Sequence, residues 1–372
     1  MNTGDLSTLL VWAAATAFTI ALIAYTVDLA RLADNAQRRE GADADAAGAA
    51  AVQDRANVPA TAGVGAGAGS SARVSSPLSG SATGGGSVSA VAGSAAEAAP
   101  GRSPRAEGIA RSTTYLGSAL LFVAIVLRGV AAGRWPTANM YEFTLVGVFV
   151  ATTVLAIVQR RRVIAFLGVV VMGIAVTALV VALESFFVRA DAVRPALQNY
   201  WLVLHVGVAI IATGIFTVAF ATAVLQVLRH GRETGRSHLD HPWKSADGLR
   251  QAFSGLAVTG PRFRWLEQVP DARRLEALSF RLNAVAFVLW TLTLIGGAIW
   301  AEDAWGRYWN WDSKEVGTFV AWVVYAGYLH ARTTRGWSGR KAAYFVFVGY
   351  ACVLANFTVV NLVLPGLHSY AF

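Results

Sequence analysis

The chain has 372 residues, of which 55% are hydrophobic and 14% charged, and its mean hydropathy is +0.49. Soluble domains carry about 25% charged residues, so this composition excludes one and makes lipid the solvent for most of the chain. The net charge of +9 does not point to nucleic acid, because the basic residues fall where membrane topology puts them.

Eight apolar stretches approach or exceed the roughly 20 residues that cross a bilayer core: 8–30, 113–132, 139–158, 163–187, 201–228, 282–300, 314–330 and 342–364. They are continuous runs of Leu, Val, Ala, Ile and Phe rather than short alternating segments. This predicts an all-α integral membrane protein, a bundle of about eight transmembrane helices, and not a barrel.

The first stretch has Asp5 but no Lys or Arg ahead of it, and Arg31 follows it. A cleaved signal peptide carries positive charge before its apolar run, so 1–30 reads as a transmembrane anchor with its N-terminus outside. Residues 31–112 then read as a low-complexity cytoplasmic linker. Its 41–105 portion is Ala, Gly and Ser with scattered charges, too little apolar surface to offset the entropy of ordering, which predicts disorder. The other seven stretches fall within 113–372. In this orientation the inner segments 31–112, 159–162, 229–281 and 331–341 hold 25 of the 31 Lys and Arg residues, and both termini lie outside.

The basic segment 229–281 also contains Trp243, Phe253, Phe263, Trp265 and Leu266, which predicts short amphipathic helices on the membrane surface. Its His230, His238 and His241 match no strong metal-ligand spacing. Cys352 is the single cysteine and lies in the last stretch, which excludes an intrachain disulfide, a CxxC thiol oxidoreductase and a CxxCH haem attachment site. It reads as a packing residue.

Between the sixth and seventh stretches, Trp300, Trp305, Tyr308, Trp309 and Trp311 put five large aromatics into twelve residues. If this segment is helical, Trp305, Trp309 and Asp312 share one face and form a platform for a flat apolar ligand. An interfacial aromatic belt is the alternative. A belt leaves unexplained the Gly306, Asn310, Asp312, Lys314 and Glu315 interleaved with the rings, which suit a cofactor pocket.

The run WGRYWNWDSKE, 305–315, resembles the tryptophan-rich WWD motif of haem-handling proteins, and its surroundings resemble the CcsA/ResC family of cytochrome c biogenesis proteins. Four further segments carry the resemblance. Pro136–Glu142, with Asn139 and Tyr141, is similar to the family's outer segment before a span, and Leu197–Val206, with Trp201 and His205, to its first outer histidine segment. Leu367–Tyr370 contains the C-terminal outer histidine, His368, and Tyr328–His330 the histidine closing the span after the motif. Two positions depart from the pattern: Ser313 replaces a Pro, and Gly317 stands where a Trp is expected.

The resemblance implies that 113–372 is a haem-handling transmembrane domain with an outer WWD loop at 300–315, in the bacterial plasma membrane. It implies the channel subunit of a system II type cytochrome c synthase, part of a holocytochrome c synthase complex. Such a subunit moves haem b to the outer face and presents it to the CxxCH of an apocytochrome for thioether attachment. The implied partners are a ResB/CcsB-type membrane subunit, apocytochrome c and a thiol-reducing membrane protein, with no nucleic acid. Haem contacts are expected from Trp300, Trp305, Tyr308, Trp309, Trp311, Asp312, Glu315, Asn139, Tyr141 and Trp201. A CcmC-type transporter that loads a haem chaperone and a non-haem scaffold with a tryptophan belt are the alternatives.

The histidines sort by topology. His205, one turn into the fifth stretch, and His368, after the eighth, fall on the outer side, level with the tryptophan segment. Two neutral imidazoles flanking an aromatic platform suit six-coordinate haem iron, although either one alone also reads as an interfacial hydrogen-bonding residue. His330 lies about 25 Å further along the seventh stretch, as part of an inner haem site or as a snorkelling residue. Arg128, Arg134, Arg189 and Arg194 are candidates for pairing with haem propionates.

Overall fold

The computed structural model describes residues 2–56, 104–160, 164–190, 199–237, 239, 242, 247–252, 257–364 and 366–367. The chain divides into two units, one of Met1–Gln37 with Gly101–Phe372 and one of Arg38–Pro100. The described part of the second unit is helical.

The helices are α1 (Thr3–Ala56), α2 (Pro104–Ala132), α3 (Met140–Val158), α4 (Ala165–Ser185), α5 (Tyr200–Glu233), α6 (Asp247–Ala252), α7 (Ala272–Trp305), α8 (Ser313–Thr334), α9 (Arg340–Phe357) and α10 (Val359–Val363). A 3-10 helix covers Pro261–Gln268. Among the described residues there is no strand. The chain is therefore an all-α, multi-pass membrane protein, and among the described residues seven helices are long and apolar enough to cross a bilayer. The seventh stretch of the sequence accounts for the difference from eight. It forms the 22-residue α8, whose Lys314, Glu315, Thr318 and His330 dilute its apolar character, yet which packs along α9 from Lys314 at Asn356 to Gly327 at Phe345.

The linker expected at 31–112 is corrected at both ends. Helix α1 continues to Ala56, and α2 begins at Pro104 rather than 113. Alanine carries the lowest helical cost of any residue, so an Ala-rich run propagates a helix already nucleated by its apolar part. The rest of the expected linker, 57–103, lies outside the described residues.

Helices in lipid gain little from apolar burial against one another, so close packing and a few polar contacts hold them together. In α1, Val11, Ala14, Phe18, Ala21 and Tyr25 recur at steps of three and four and are all buried. A Cβ on Gly117 would stand 2.6 Å from the Phe18 ring, and one on Gly168 would stand 2.4 Å from the Tyr25 ring, so both glycines are notches cut to these side chains. Ser7 Oγ donates to the Ala124 carbonyl at 2.7 Å, and Tyr25 Oη donates to Gln159 Oε1 at 3.1 Å.

Helices α5 and α7, each of 34 residues, form the most extensive pair and reach about 51 Å, well beyond a bilayer's hydrocarbon. One end of the bundle gathers the starts of α3, α5 and α8 with the ends of α7 and α9. The opposite end is basic, with Arg332 paired to Glu276 at 3.1 Å and Arg340 donating to the Arg236 carbonyl at 2.9 Å. Where amphipathic surface helices are expected within 229–281, the described residues form α6 and the 3-10 helix, whose Trp265 and Leu266 are instead buried in the bundle, Trp265 against Phe166 with ring centroids 5.5 Å apart; Trp243 and Phe253 lie outside the described residues.

Candidate functional site

The tryptophan segment does not continue as a helix, which corrects the shared face expected for Trp305, Trp309 and Asp312. Helix α7 stops at Trp305, and Gly306 takes the left-handed conformation, φ 70° and ψ 24°, while its N–H donates to the Glu302 carbonyl at 2.8 Å. A residue without Cβ enters that conformation at no steric cost. The chain then crosses Arg307–Asp312 as a loop and re-enters helix at Ser313.

Asp312 and Glu315 build this loop. Asp312 is the N-cap of α8 and forms a capping box with Glu315. Glu315 Oε2 accepts the N–H of Asn310 at 2.9 Å and of Asp312 at 3.1 Å, which fixes the residues on both sides of Trp311. Trp311 itself has φ 57°, is 75% exposed, and meets Trp309 edge to face at 5.7 Å. Asp312 Oδ1 also accepts the N–H of Leu367 at 2.7 Å, tying the C-terminal segment to the loop.

His205 sits where two cavities meet. The larger, about 870 Å³ to its open mouth, is lined by Asn139, His205, Thr293, Trp300, Lys314 and Asn356 among others. The smaller, about 390 Å³, lies between His205, Trp305, Tyr308, Trp309 and Glu315. His205 Nδ1 is 2.8 Å from the Thr293 carbonyl oxygen. A carbonyl only accepts, so this nitrogen carries the proton and the neutral ring's lone pair is on Nε2. Gly297 of α7 admits the ring, since a Cβ there would lie 2.7 Å from His205 Cε1. The buried Trp300 indole is nearly parallel to the imidazole, at 9° and 6.4 Å between centroids, and meets Trp305 edge to face at 4.7 Å.

Of the residues singled out in the sequence, His205, Asn139, Trp300, Trp305, Tyr308, Trp309 and Glu315 line these two cavities. The rest are placed otherwise. Tyr141 is packed inside the bundle, its ring 4.9 Å from the Arg128 guanidinium. Trp201 rests on Tyr200 at 5.2 Å. His330 is exposed near the far end of α8. His368 lies outside the described residues. Arg128 and Arg134 converge on the buried Glu142, at 3.1 and 2.7 Å, and Arg128 also donates to the Val188 carbonyl. Arg189 is exposed, and Arg194 lies outside the described residues.

Lys314, expected from the sequence among the polar residues that suit a cofactor pocket, lines both cavities, whereas Asn356 and Asn361 carry no expectation from the sequence. Lys314 Nζ donates to the Asn356 carbonyl at 2.7 Å and to Asn361 Oδ1 at 2.9 Å, while Asn356 Nδ2 donates to Thr318 Oγ1 at 2.9 Å. The available signal was an asparagine inside an apolar span, a costly residue unless it is used. Gly317 is explained by the same asparagine, because a Cβ there would lie 2.4 Å from Asn356 Oδ1 and leaves no room for a larger side chain.

Residues 137–368, most of the chain and all of this site except the end of its tail, match the family described as Cytochrome C assembly protein. The chain belongs to this family. Among curated relatives, the cytochrome c biogenesis protein CcsA of Synechococcus sp. (strain CC9902) is 34% identical over 274 residues, covering 71% of this chain and 87% of the relative. CcsA of Mesostigma viride is 30% identical over 264 residues, covering 68% and 83%, and that of Porphyra purpurea 29% over 292, covering 72% and 90%. The role is in cytochrome c biogenesis, and cytochrome c assembly implies haem handling. The residues present fit that group. The larger cavity combines aromatic walls with an imidazole whose proton is held on the far nitrogen by a carbonyl, the arrangement metal-binding histidines use.

Proposed function

We propose that this chain is the haem-presenting subunit of a system II type cytochrome c synthase, holding haem b at the tryptophan-bearing end of the bundle between His205 and His368. The observation that carries the reading is the placement of His205. Its Nδ1 is committed to the Thr293 carbonyl, so Nε2 is the iron-binding nitrogen, at the junction of cavities walled by Trp300, Trp305 and Trp309. The Leu367–Asp312 hydrogen bond supports the second ligand, because His368 is the next residue in the chain.

The basic residues at the opposite end support an orientation with that end in the cytoplasm and the haem end and both termini outside, in the plasma membrane. In this reading His330, exposed near the cytoplasmic end of α8, completes an inner haem site with a histidine from a ResB/CcsB-type subunit. At the outer site the tryptophans and His205 orient the porphyrin so that its vinyl edge meets the reduced CxxCH of an apocytochrome. Each thiol S–H adds across a vinyl double bond, with sulfur bonding one carbon and the proton ending on the other, so no oxidant is consumed. A thiol-reducing membrane protein keeps the substrate cysteines in the reactive form.

The test is the absorption spectrum of the chain purified from haem-replete cells. A bis-histidine Soret band is expected, and His205→Ala and His368→Ala each should change it. A colourless protein would instead favour a membrane scaffold.

A further inference from the structure

We infer that the Lys314 ammonium binds a propionate of haem in the larger cavity and so fixes which edge of the porphyrin faces α8 and α9. This rests on the reading of that cavity as a haem site.

Among the described residues lining the cavity, Lys314 is the only Lys, Arg, Asp or Glu. An ammonium has three N–H donors. Two are placed, on the Asn356 carbonyl and Asn361 Oδ1, and both acceptors are neutral. They orient the group without cancelling its charge.

Two carboxylates lie nearby, each engaged with backbone donors. Asp312 Oδ2 and Oδ1 take the N–H groups of Lys314 and Leu367, and its charge also favours the ammonium, while Glu315, which shares the smaller cavity with Lys314, takes those of Asn310 and Asp312 through Oε2. Of the four arginines expected from the sequence, Arg128 and Arg134 are joined to Glu142, Arg189 is exposed, and Arg194 lies outside the described residues. A cation drawn away from water calls for an anion, and haem brings two carboxylates on one edge of a disc whose centre takes an imidazole. His205 and Lys314 supply the two complementary groups, and both line both cavities.

A purely structural role is the competing account, since a cation near the end of α9 also stabilises that helix end. The two accounts separate when the ligand, not only the protein, is altered. The full-length chain, purified in detergent without haem, is titrated with iron protoporphyrin IX and with its dimethyl ester, followed by the Soret shift. The wild type should prefer the free acid by roughly ten- to a hundredfold, the range of a charge-assisted hydrogen bond. Lys314→Gln should lose that preference while binding the ester as the wild type does, and Lys314→Arg should keep most of it. The inference is overturned if Lys314→Gln retains the wild-type acid-to-ester ratio, or if it loses both ligands alike, which marks a helix-end role. A wild type that binds neither porphyrin refutes the haem reading itself, without recourse to any variant.

Discussion

Leu367 donates its backbone N–H to Asp312 Oδ1 at 2.7 Å, and the same carboxylate caps α8 through the N–H of Lys314 at 3.2 Å. One side chain thus joins the tail of the chain, the tryptophan loop and the start of a helix. Asp312→Ala removes the cap and the tie together. A lost N-cap costs about 0.5–2 kcal/mol, so the melting temperature in detergent should fall by several degrees, with Asp312→Asn recovering much of the loss. Identical melting curves for wild type and Asp312→Ala would show that the carboxylate organises nothing.

Gly297 gives a way to disturb His205 without touching it. Ala at a helix-interior Gly ordinarily stabilises by roughly 0.5–1 kcal/mol. Here the added Cβ would stand 2.7 Å from His205 Cε1 and push the ring off the Thr293 carbonyl. Gly297→Ala should therefore fold yet show an altered or weakened Soret band. A spectrum unchanged in position and intensity would mean that the ring is not held where haem binds.

Gly317 and Asn356 should be energetically coupled. Gly317→Ala forces a contact at 2.4 Å with Asn356 Oδ1, a strain of about 1–3 kcal/mol. Pairing it with Asn356→Ala removes the obstacle, so a double-mutant cycle on thermal stability should give a coupling of about 1 kcal/mol or more. Additive effects would place the obstruction elsewhere.

Glu142 holds two arginines in a nearly dry environment, with Arg128 1% exposed and the carboxylate fully buried. Its oxygens also accept the Ala138 N–H at 2.9 Å, so it shapes the segment that brings Asn139 to the larger cavity. Removing one partner of a buried pair leaves an uncompensated charge and costs about 3–5 kcal/mol. Glu142→Ala should reduce the yield of folded protein sharply, and Arg134→Ala, on the more exposed partner, should do so less. Equal yields across the three proteins would argue against the cluster as a structural element.

Sidedness can be read by thiol labelling. In a Cys352→Ala background, Trp311→Cys and Arg335→Cys place single reporters in the exposed loop and near the basic end. A membrane-impermeant maleimide should label the first in intact cells and the second only after lysis. Labelling of Arg335→Cys in intact cells would invert the topology.

The helical bundle was legible in the sequence because 20-residue apolar runs admit one structure in lipid, and the reading of 113–158 and 201–228 as spans needed no tertiary information. What α8 does was harder to read, since its polar residues serve neighbours rather than lipid: Thr318 accepts from Asn356, and Lys314 reaches α9 and α10. His205 was found from its position at a helix start, but the Thr293 carbonyl that sets its tautomer is a backbone atom and leaves no mark in residue identity. The spacing of the tryptophan segment leaves a helix open, and residue identity alone does not show that a single left-handed glycine, Gly306, ends α7 in the middle of it. Arg128 and Arg134 attract attention by charge alone, and only the fold reveals that Glu142 already claims them.

The family match begins at residue 137, yet Phe18 and Tyr25 lie far upstream of it, seated in the notches at Gly117 and Gly168. A minimal version cut to the homologous region would strip away α1 and α2 and leave Gly168 facing an empty groove. The boundary drawn by shared ancestry is therefore not a boundary at which this protein can be divided, and any trimmed form must keep the leading helix, covalently or as a separately supplied peptide.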